Sequence, residues 1–393
     1  MSDSQSASAL PAATTMTKVV LLGAASLTIM SGAAISTALP SIEAAFPGNQ
    51  LLTRLLLTLP ALFILFCAPV AGIVADRWGR KPLLLGGLCL FVLAGTSGMY
   101  LGDFSLLLAG RALLGVAVAG VITSANTLVA DYFTGAERQR FMGFQGATMS
   151  LGGVCFLVGG GLLAQWSWRA NFAIYLLALP LIPLAWRHLA ETRGIAGGGP
   201  DHADTTPMPL WKVVRVFAFA AYTMGVFYLI PTQMPFFLKE LAGASPAMTG
   251  ICIAASTLAA GVSSSQFGRF GKGMSHARRL AFASGMMGLG MAGLWWAAGI
   301  PSVLVSMAVF GSGMGWLMPA NTFRLAELSP PRLRGRLMGI LSSSLFLGQF
   351  VSPLFSQPLI ARWGYGAAYG AAGLTLLASC AALMVLDRMG RRV

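Results

Sequence analysis

Residues 72–81 read G-I-V-A-D-R-W-G-R-K and are the most informative stretch of the chain. They close a long apolar segment, and a second apolar segment begins directly after them. A short basic turn between two apolar segments is typical of two membrane helices that are joined on one side of the bilayer. Asp76 is the unexpected residue, because Arg77, Arg80 and Lys81 alone would suffice as topological anchors.

The composition is that of an integral membrane protein. Of the 393 residues, 56% are hydrophobic and 10% are charged, whereas a soluble domain carries about 25% charged residues. A helix needs about 20 mostly apolar residues to cross the hydrocarbon core. Twelve stretches meet this requirement, and they cover approximately residues 19–40, 51–74, 83–101, 104–128, 141–164, 171–189, 216–237, 247–267, 280–299, 302–323, 338–360 and 366–386.

The positive charges predict the orientation of these segments. With the N-terminus in the cytoplasm, 21 of the 26 Lys and Arg residues fall on the cytoplasmic side, in agreement with the positive-inside rule. Arg54 is one of the few bases expected outside. Topology therefore explains the net charge of +14, and no nucleic-acid partner is inferred. We expect a multi-pass protein of the cell (inner) membrane, in contact with the lipid bilayer, with both termini in the cytoplasm.

The two halves of the chain resemble each other. A-N-T at 125–127 recurs at 320–322, and similar repeats follow at a nearly constant offset, which indicates a duplication. Two parallel repeats of six helices are a transporter plan with a central site near the midplane. The predicted organisation is a disordered tail (1–17), a six-helix bundle (18–190), a linker (191–212), a second six-helix bundle (213–387) and a basic tail (388–393).

These features together resemble the major facilitator superfamily over the whole chain apart from the tails. The family's signature between the second and third helices is matched by Gly72, Asp76, Arg77, Gly79, Arg80 and Lys81. The drug:proton antiporter branch is resembled by Arg111 with Gly115 and Gly120, by Leu39-Pro40-x-Ile42 and by Glu191-Thr192. The resemblance implies an all-α membrane protein with twelve transmembrane helices in two pseudo-symmetric six-helix bundles.

The resemblance also implies roles for charged residues. The six signature residues would latch the two halves together on the cytoplasmic side, with Asp76 bonding the free amides at the start of the eleventh helix. Arg111 would take part in proton transfer, and the alternative is that it extends to the outer surface or pairs with Asp103. Asp103 and Asp131 are further proton-coupling candidates. Asp131 and Glu327 are expected to pair with the nearby bases Arg138, Arg140, Arg334 and Arg336.

Polar and aromatic side chains near the midplane are candidates for a substrate cavity. They are Ser31, Thr37, Asn126, Gln145, Thr148, Tyr228, Gln233, Asn321, Phe346 and Gln349. Each polar member has an alternative role as a bridge between helices, which contributes about 0.6 kcal/mol. Asn126 and Asn321 occupy equivalent positions in the two repeats, so a shared structural role is also open for them.

The favoured function is secondary active transport, with proton-coupled efflux of small amphiphilic organic compounds, such as a drug or a siderophore-like metabolite. No ATP-binding loop is present, so the energy is expected to come from an ion gradient, with the proton gradient favoured, or from the substrate's own gradient. Neither a cofactor nor a metal is predicted, because the five cysteines and three histidines form no ligand-like pattern. A monomer is expected, and an enzyme is not. The alternatives are a proton-coupled importer and a sensor or scaffold that transports nothing.

Overall fold

The computed structural model describes residues 13–192, 209–330 and 333–389. Of the predicted tail (residues 1–17), residues 1–12 therefore lie outside the described residues. Most of the predicted linker and the last four residues of the predicted basic tail also lie outside them. We define the first half as residues 13–192 and the second half as residues 209–389.

The described chain is built of helices joined by short connections. They are α1 (Thr15–Ser36), α2 (Leu39–Ala45), α3 (Gln50–Trp78), α4 (Arg80–Thr96), α5 (Phe104–Tyr132), α6 (Gly135–Trp166), α7 (Leu181–His188), α8 (Leu210–Phe227), α9 (Leu229–Ala242), α10 (Pro246–Ser265), α11 (Phe267–Phe270), α12 (His276–Trp295), α13 (Ile300–Leu328) and α14 (Arg334–Met389). Two 3₁₀ helices, Ser97–Met99 and Ala170–Ala178, extend α4 and precede α7.

Ten helical segments of the described chain are long and apolar enough to cross a membrane. The last of them, Gly335–Met389, has 55 residues and breaks at Gly364, where φ is 79°. A crossing takes about 20 residues, so this segment accounts for two. α12 also covers the predicted ninth segment, although Arg278 and Arg279 in its first turn lower its mean hydropathy. The helices are thus consistent with the twelve predicted crossings.

Helix ends follow from local chemistry. The carboxylate of Asp103 begins α5 by accepting hydrogen bonds from the backbone nitrogens of Ser105 (2.8 Å) and Leu106 (3.0 Å). This satisfies two amides that have no partner inside the helix. Gly79 separates α3 from α4 with φ at 104°, a conformation that is favourable only for glycine.

Each half has its own apolar core. The first core is formed by α1 to α7, with Phe91 and Leu128 at its centre, and it includes Phe236 from α9. The second core is formed by α8 to α14 around residues such as Phe310, and it includes Leu157 from α6. The two halves are therefore separate packing units, and each core takes in a buried side chain from the other half.

The halves repeat the same close helix contacts. A Cβ placed on Gly115 of α5 would lie 2.5 Å from the carbonyl oxygen of Pro60 in α3. In the second half, a Cβ on Gly311 of α13 would clash with the carbonyl oxygen of Ser256 in α10. Both members of the second pair are displaced from the first by the same number of residues, so the duplication seen in the sequence is also a duplication of packing.

Candidate functional site

The two ends of the helix bundle differ in charge. α3 ends at the turn formed by residues 78–81, and we call this end of the bundle the basic face. α3 begins at Gln50, and we call that end the opposite face. Arg54 and Asp76 stand on the same helix near its two ends, about 33 Å apart at 1.5 Å per residue.

A buried polar network joins the two halves at the opposite face. This Arg54 network consists of Glu43, Gln50, Arg54, Gln233, Phe236, Ser356 and Gln357. The Arg54 side chain is 2% exposed and forms an ion pair with Glu43. Its Nε donates to Gln233 Oε1 at 3.3 Å, and its guanidinium carbon lies 3.7 Å from the centroid of the Phe236 ring. A buried charge is tolerated here because it is both paired and hydrogen-bonded.

The same network continues through amide side chains. Gln233 Nε2 donates to Ser356 Oγ (3.0 Å) and to Gln357 Oε1 (3.3 Å). Gln357 Nε2 in turn donates to Gln50 Oε1 at 3.4 Å, which returns the network to the first half. Opening the opposite face would have to break the hydrogen bonds that cross between the halves.

Close helix packing adjoins the network. A Cβ on Gly161 of α6 would lie 2.6 Å from the carbonyl oxygen of Pro246 in α10. A Cβ on Gly250 of α10 would clash with the carbonyl oxygen of Leu157 in α6. Backbones at this separation exclude any side chain at the two glycines. The halves are therefore in direct backbone contact near the opposite face.

At the basic face, the signature residues bind within their own half. The Glu191 carboxylate accepts hydrogen bonds from the backbone nitrogens of Arg80 (2.9 Å) and Lys81 (3.0 Å), and so caps α4. The Arg80 guanidinium is buried, pairs with Asp131 and donates to Thr192 Oγ1 at 3.2 Å. Sequence reasoning paired Asp131 and Glu327 with other bases, and this was wrong. Asp131 is bound by Arg80 because α5 packs against α4, which places the end of α5 beside the start of α4.

Glu327 also has a different partner from the bases that were predicted for it. Its carboxylate accepts from Arg324 Nη1 at 3.0 Å, one turn earlier on α13. Neighbours three residues apart on a helix share one face, so this local pair forms without any tertiary contact.

Asp76 makes no contact of this kind. Its side chain is exposed, and it has no hydrogen bond or ion pair with any described residue. A Cβ on Gly72, one turn earlier, would meet nothing within 4 Å. The predicted bond from Asp76 to the start of α14 is therefore not formed in this structure. The halves meet at the opposite face, and Asp76 at the basic face has no hydrogen bond or ion pair with the second half among the described residues.

Arg111 is enclosed in the first half. It is 1% exposed, and its Nη1 donates to Tyr175 Oη (2.8 Å) and to the Ser31 carbonyl oxygen (3.4 Å). The Phe172 ring centroid lies 4.9 Å from the guanidinium carbon, and Nη2 has no partner among the described residues. The alternative of an exposed Arg111, or one paired with Asp103, is wrong, because the Asp103 carboxylate caps α5 instead.

The cavity candidates occupy different environments. Gln233 belongs to the Arg54 network, and Asn321 is fully buried with both amide atoms unpartnered in the described chain. Thr37 is also buried with an unpartnered hydroxyl, whereas its fellow candidate Asn126 is exposed. Asn126 and Asn321 therefore differ despite their equivalent positions in the repeats. The remaining candidates are buried (Ser31, Gln349) or half-buried (Gln145, Thr148, Tyr228, Phe346).

Sequence reasoning missed two structural partners. Arg54 was counted among the few bases on the outer side, and its burial in the first turns of α3 was not anticipated. Tyr175 was not singled out, yet its hydroxyl accepts a hydrogen bond from Arg111 Nη1 and donates one to the Ser31 carbonyl oxygen at 2.9 Å. The presence of Glu43 eleven residues before Arg54, with one connection between them, was the available signal for the ion pair.

Comparison with known proteins identifies the family. The model of the Major Facilitator Superfamily matches residues 21–320 and 217–392. The chain belongs to this superfamily of membrane transporters, and the family points to a transporter rather than to an enzyme.

The similarity to individual relatives covers only part of this chain. The class C tetracycline resistance protein of Escherichia coli is 32% identical over 200 residues, which are 49% of this chain and 46% of that protein. The bacillibactin exporter of Bacillus subtilis is 30% identical over 142 residues, which are 34% of this chain and 35% of that protein. Matches of this kind span less than half of each relative. A solved D-xylose-proton symporter is similar in fold, with a TM-score of 0.72, 16% identity and coverage of 92% of this chain and 96% of that one.

Proposed function

We propose that this protein exports small amphiphilic organic compounds by alternating access, driven by the proton gradient. Support for export comes from two relatives whose names describe resistance to tetracycline and export of bacillibactin. Both compounds are small organic molecules with polar and apolar parts. The embedded polar candidates of this chain carry few charges, which suits ligands of that class.

The observation that carries the proposal is the difference between the two faces. The Arg54 network crosses between the halves at the opposite face. Asp76 is exposed at the basic face and forms no hydrogen bond or ion pair with the residues that the structure describes. This pattern is expected for one of two states of a rocking transporter, open at the basic face. In the other state, Asp76 would bond the first amides of α14 while the Arg54 network separates.

The signature residues divide into two groups in this proposal. Gly79, Arg80 and Glu191 hold the turn within the first half, so they serve as its fixed support. Asp76 is the group that would gain a partner in the other state, and a Cβ on the neighbouring Gly72 would likewise meet nothing within 4 Å here. The negative charge of Asp76 would be favoured at the positive N-terminal end of α14.

Proton coupling is proposed for residues of a single helix. Asp103 stands at the start of α5, Arg111 lies two turns further along it, and Asp131 lies near its other end. Asp131 is neutralised by Arg80. Among the described residues, the buried Arg111 has hydrogen bonds to Tyr175 and Ser31 only, and its Nη2 has no partner. A buried charge without a carboxylate partner is costly, and such residues in membrane helices are commonly functional.

Proteoliposomes test the function. Protein reconstituted with tetracycline or a catecholate siderophore inside should release the compound faster when a pH gradient is imposed. Arg111→Ala and Asp76→Asn should each lower this flux, whereas Arg362→Ala, an exposed base at the opposite face, should not. If the flux were unchanged when the pH gradient is collapsed, proton coupling would be excluded.

Direction is tested in whole cells. Cells that express the protein should accumulate less of a labelled compound than cells that express Arg111→Ala. Greater accumulation would instead favour the importer. If all variants matched the parent protein in both assays, a sensor or scaffold would be the better description.

A further inference from the structure

The second half carries a groove that the transport proposal does not use. It has a volume of about 740 Å³ and lies between the starts of α8 and α12 and the ends of α13 and α14. We call it the basic groove, and its lining includes Trp211, Lys212, Arg215, His276, Arg324 and Leu383. All its lining residues belong to the second half, so it is separate from the interface between the halves.

Positive charge predominates in the basic groove. Lys212 Nζ and the Arg215 guanidinium carbon lie 5.6 Å and 5.3 Å from the Trp211 ring centroid. Neither base forms an ion pair with a described residue. The acid of the lining, Asp387, accepts from Arg278 Nε at 2.8 Å and is already engaged. Two bases therefore remain available to an anion.

The lining of the groove also includes a histidine. His276 is the first residue of α12 and precedes the apolar segment 280–299. Its Nδ1 is buried and has no partner among the described residues. Burial, and then the charges of Arg324 and Arg279, lower the pKa of His276 to about 4. The imidazole is therefore neutral, and it adds a polar group without opposing the surrounding bases.

The remainder of the lining is apolar. Val216 and Phe219 continue along α8, and Leu383 and Leu386 face them from α14. Trp211 is 59% exposed at the basic end. Aromatic and basic residues at a helix end, followed by an apolar track along the helix, are typical of the boundary between headgroups and acyl chains.

We propose that the basic groove binds an anionic phospholipid, with its phosphate at Lys212 and Arg215 and an acyl chain along Val216, Phe219 and Leu383. Lys212 and Arg215, which form no ion pair with the described residues, complement a headgroup with net negative charge, and the apolar track complements the acyl chain. A soluble anion would contact only the two bases. A zwitterionic lipid would contact mainly the apolar track.

Native mass spectrometry of the purified full chain in detergent tests the site. Phosphatidylglycerol should bind in preference to phosphatidylcholine of identical acyl chains. Lys212→Gln combined with Arg215→Gln should weaken the binding of phosphatidylglycerol about tenfold and leave the binding of phosphatidylcholine unchanged. Ala218→Trp keeps every charge but fills the exposed apolar part of the groove, so it should also weaken the binding of phosphatidylglycerol.

Arg362→Gln is the matched control, because its guanidinium carbon lies 5.5 Å from the Trp363 ring centroid at the opposite face. This variant should bind phosphatidylglycerol like the parent protein, and unchanged thermal unfolding should show that all variants are folded. The proposal is overturned if the double variant retains the preference, or if Arg362→Gln loses it equally. Displacement of the lipid by millimolar inorganic phosphate would indicate a simple anion site and would also overturn it.

Discussion

Arg54→Gln should shift the protein toward a conformation that is open at the opposite face. Three contacts of the Arg54 guanidinium decide the size of the shift. The ion pair with Glu43 is the strongest, but both partners belong to the first half, so the pair does not have to break on opening. The hydrogen bond to Gln233 and the stacking on Phe236 cross between the halves and are lost on opening.

These crossing contacts set the expected magnitude. A hydrogen bond to a charged group contributes about 1.5–3 kcal/mol, and the 3.3 Å separation of Arg54 Nε from Gln233 Oε1 favours the lower value. A desolvated cation–π contact contributes about 1–2 kcal/mol. A total of about 3 kcal/mol corresponds to about a 100-fold change in the opening equilibrium. A parent protein that is closed 99 times in 100 would become about half open.

Distances between spin labels measure this equilibrium. Ser105→Cys at the start of α5 and Ala242→Cys at the end of α9 are exposed positions at the opposite face of the two halves. In a background without the five native cysteines, the labelled parent should show one short distance. Arg54→Gln should add a longer one of comparable population. An unchanged distribution in Arg54→Gln, or the same change in Arg362→Gln, would refute the assignment of Arg54 as the closing contact.

Three further predictions concern packing and the basic turn. Gly161→Leu should abolish transport without lowering protein yield, because its side chain would separate α6 from α10, whereas Gly159→Leu, with its nearest neighbour 4.0 Å away, should be tolerated. Arg80→Ala should destabilise the protein by about 3–5 kcal/mol by leaving the buried Asp131 unpaired, and addition of Asp131→Asn should restore part of the loss in thermal unfolding. Glu191→Gln should lower the unfolding temperature by about 2–4 °C through loss of the charged cap on α4, and no change would show that the cap is dispensable.

Much of the fold could be predicted from the sequence because lipid leaves few choices. Backbone polar groups must bond within each segment in a bilayer, so long apolar stretches become helices. The repeat of A-N-T at 125–127 and 320–322 predicted two similar halves, and the equivalent contacts of Gly115 and Gly311 agree with it. Segment ends were less certain, and Gly364 divides a helix that the sequence had shown as two stretches.

The candidate site was less predictable, because ion pairs depend on which helices meet. Asp131 was assigned to bases close in the sequence, but its partner is Arg80, 51 residues away. Arg54 was assigned to the outer side, and nothing in that assignment indicated that Gln233 and Phe236 of the second half cover it. Neither contact leaves a local pattern that could be recognised in advance.

The amino-acid sequence by itself determined that the chain lies in a membrane, that it is helical and duplicated, and that one turn concentrates the signature residues at 72–81. These properties follow from hydrophobicity and spacing, which act over a few neighbouring residues. Only the tertiary structure decided that Arg54 contacts the second half at one face, while Asp76 at the other face forms no hydrogen bond or ion pair with any residue that the structure describes. Such pairings depend on distances between helices that are far apart in the chain, which no local pattern of residues specifies.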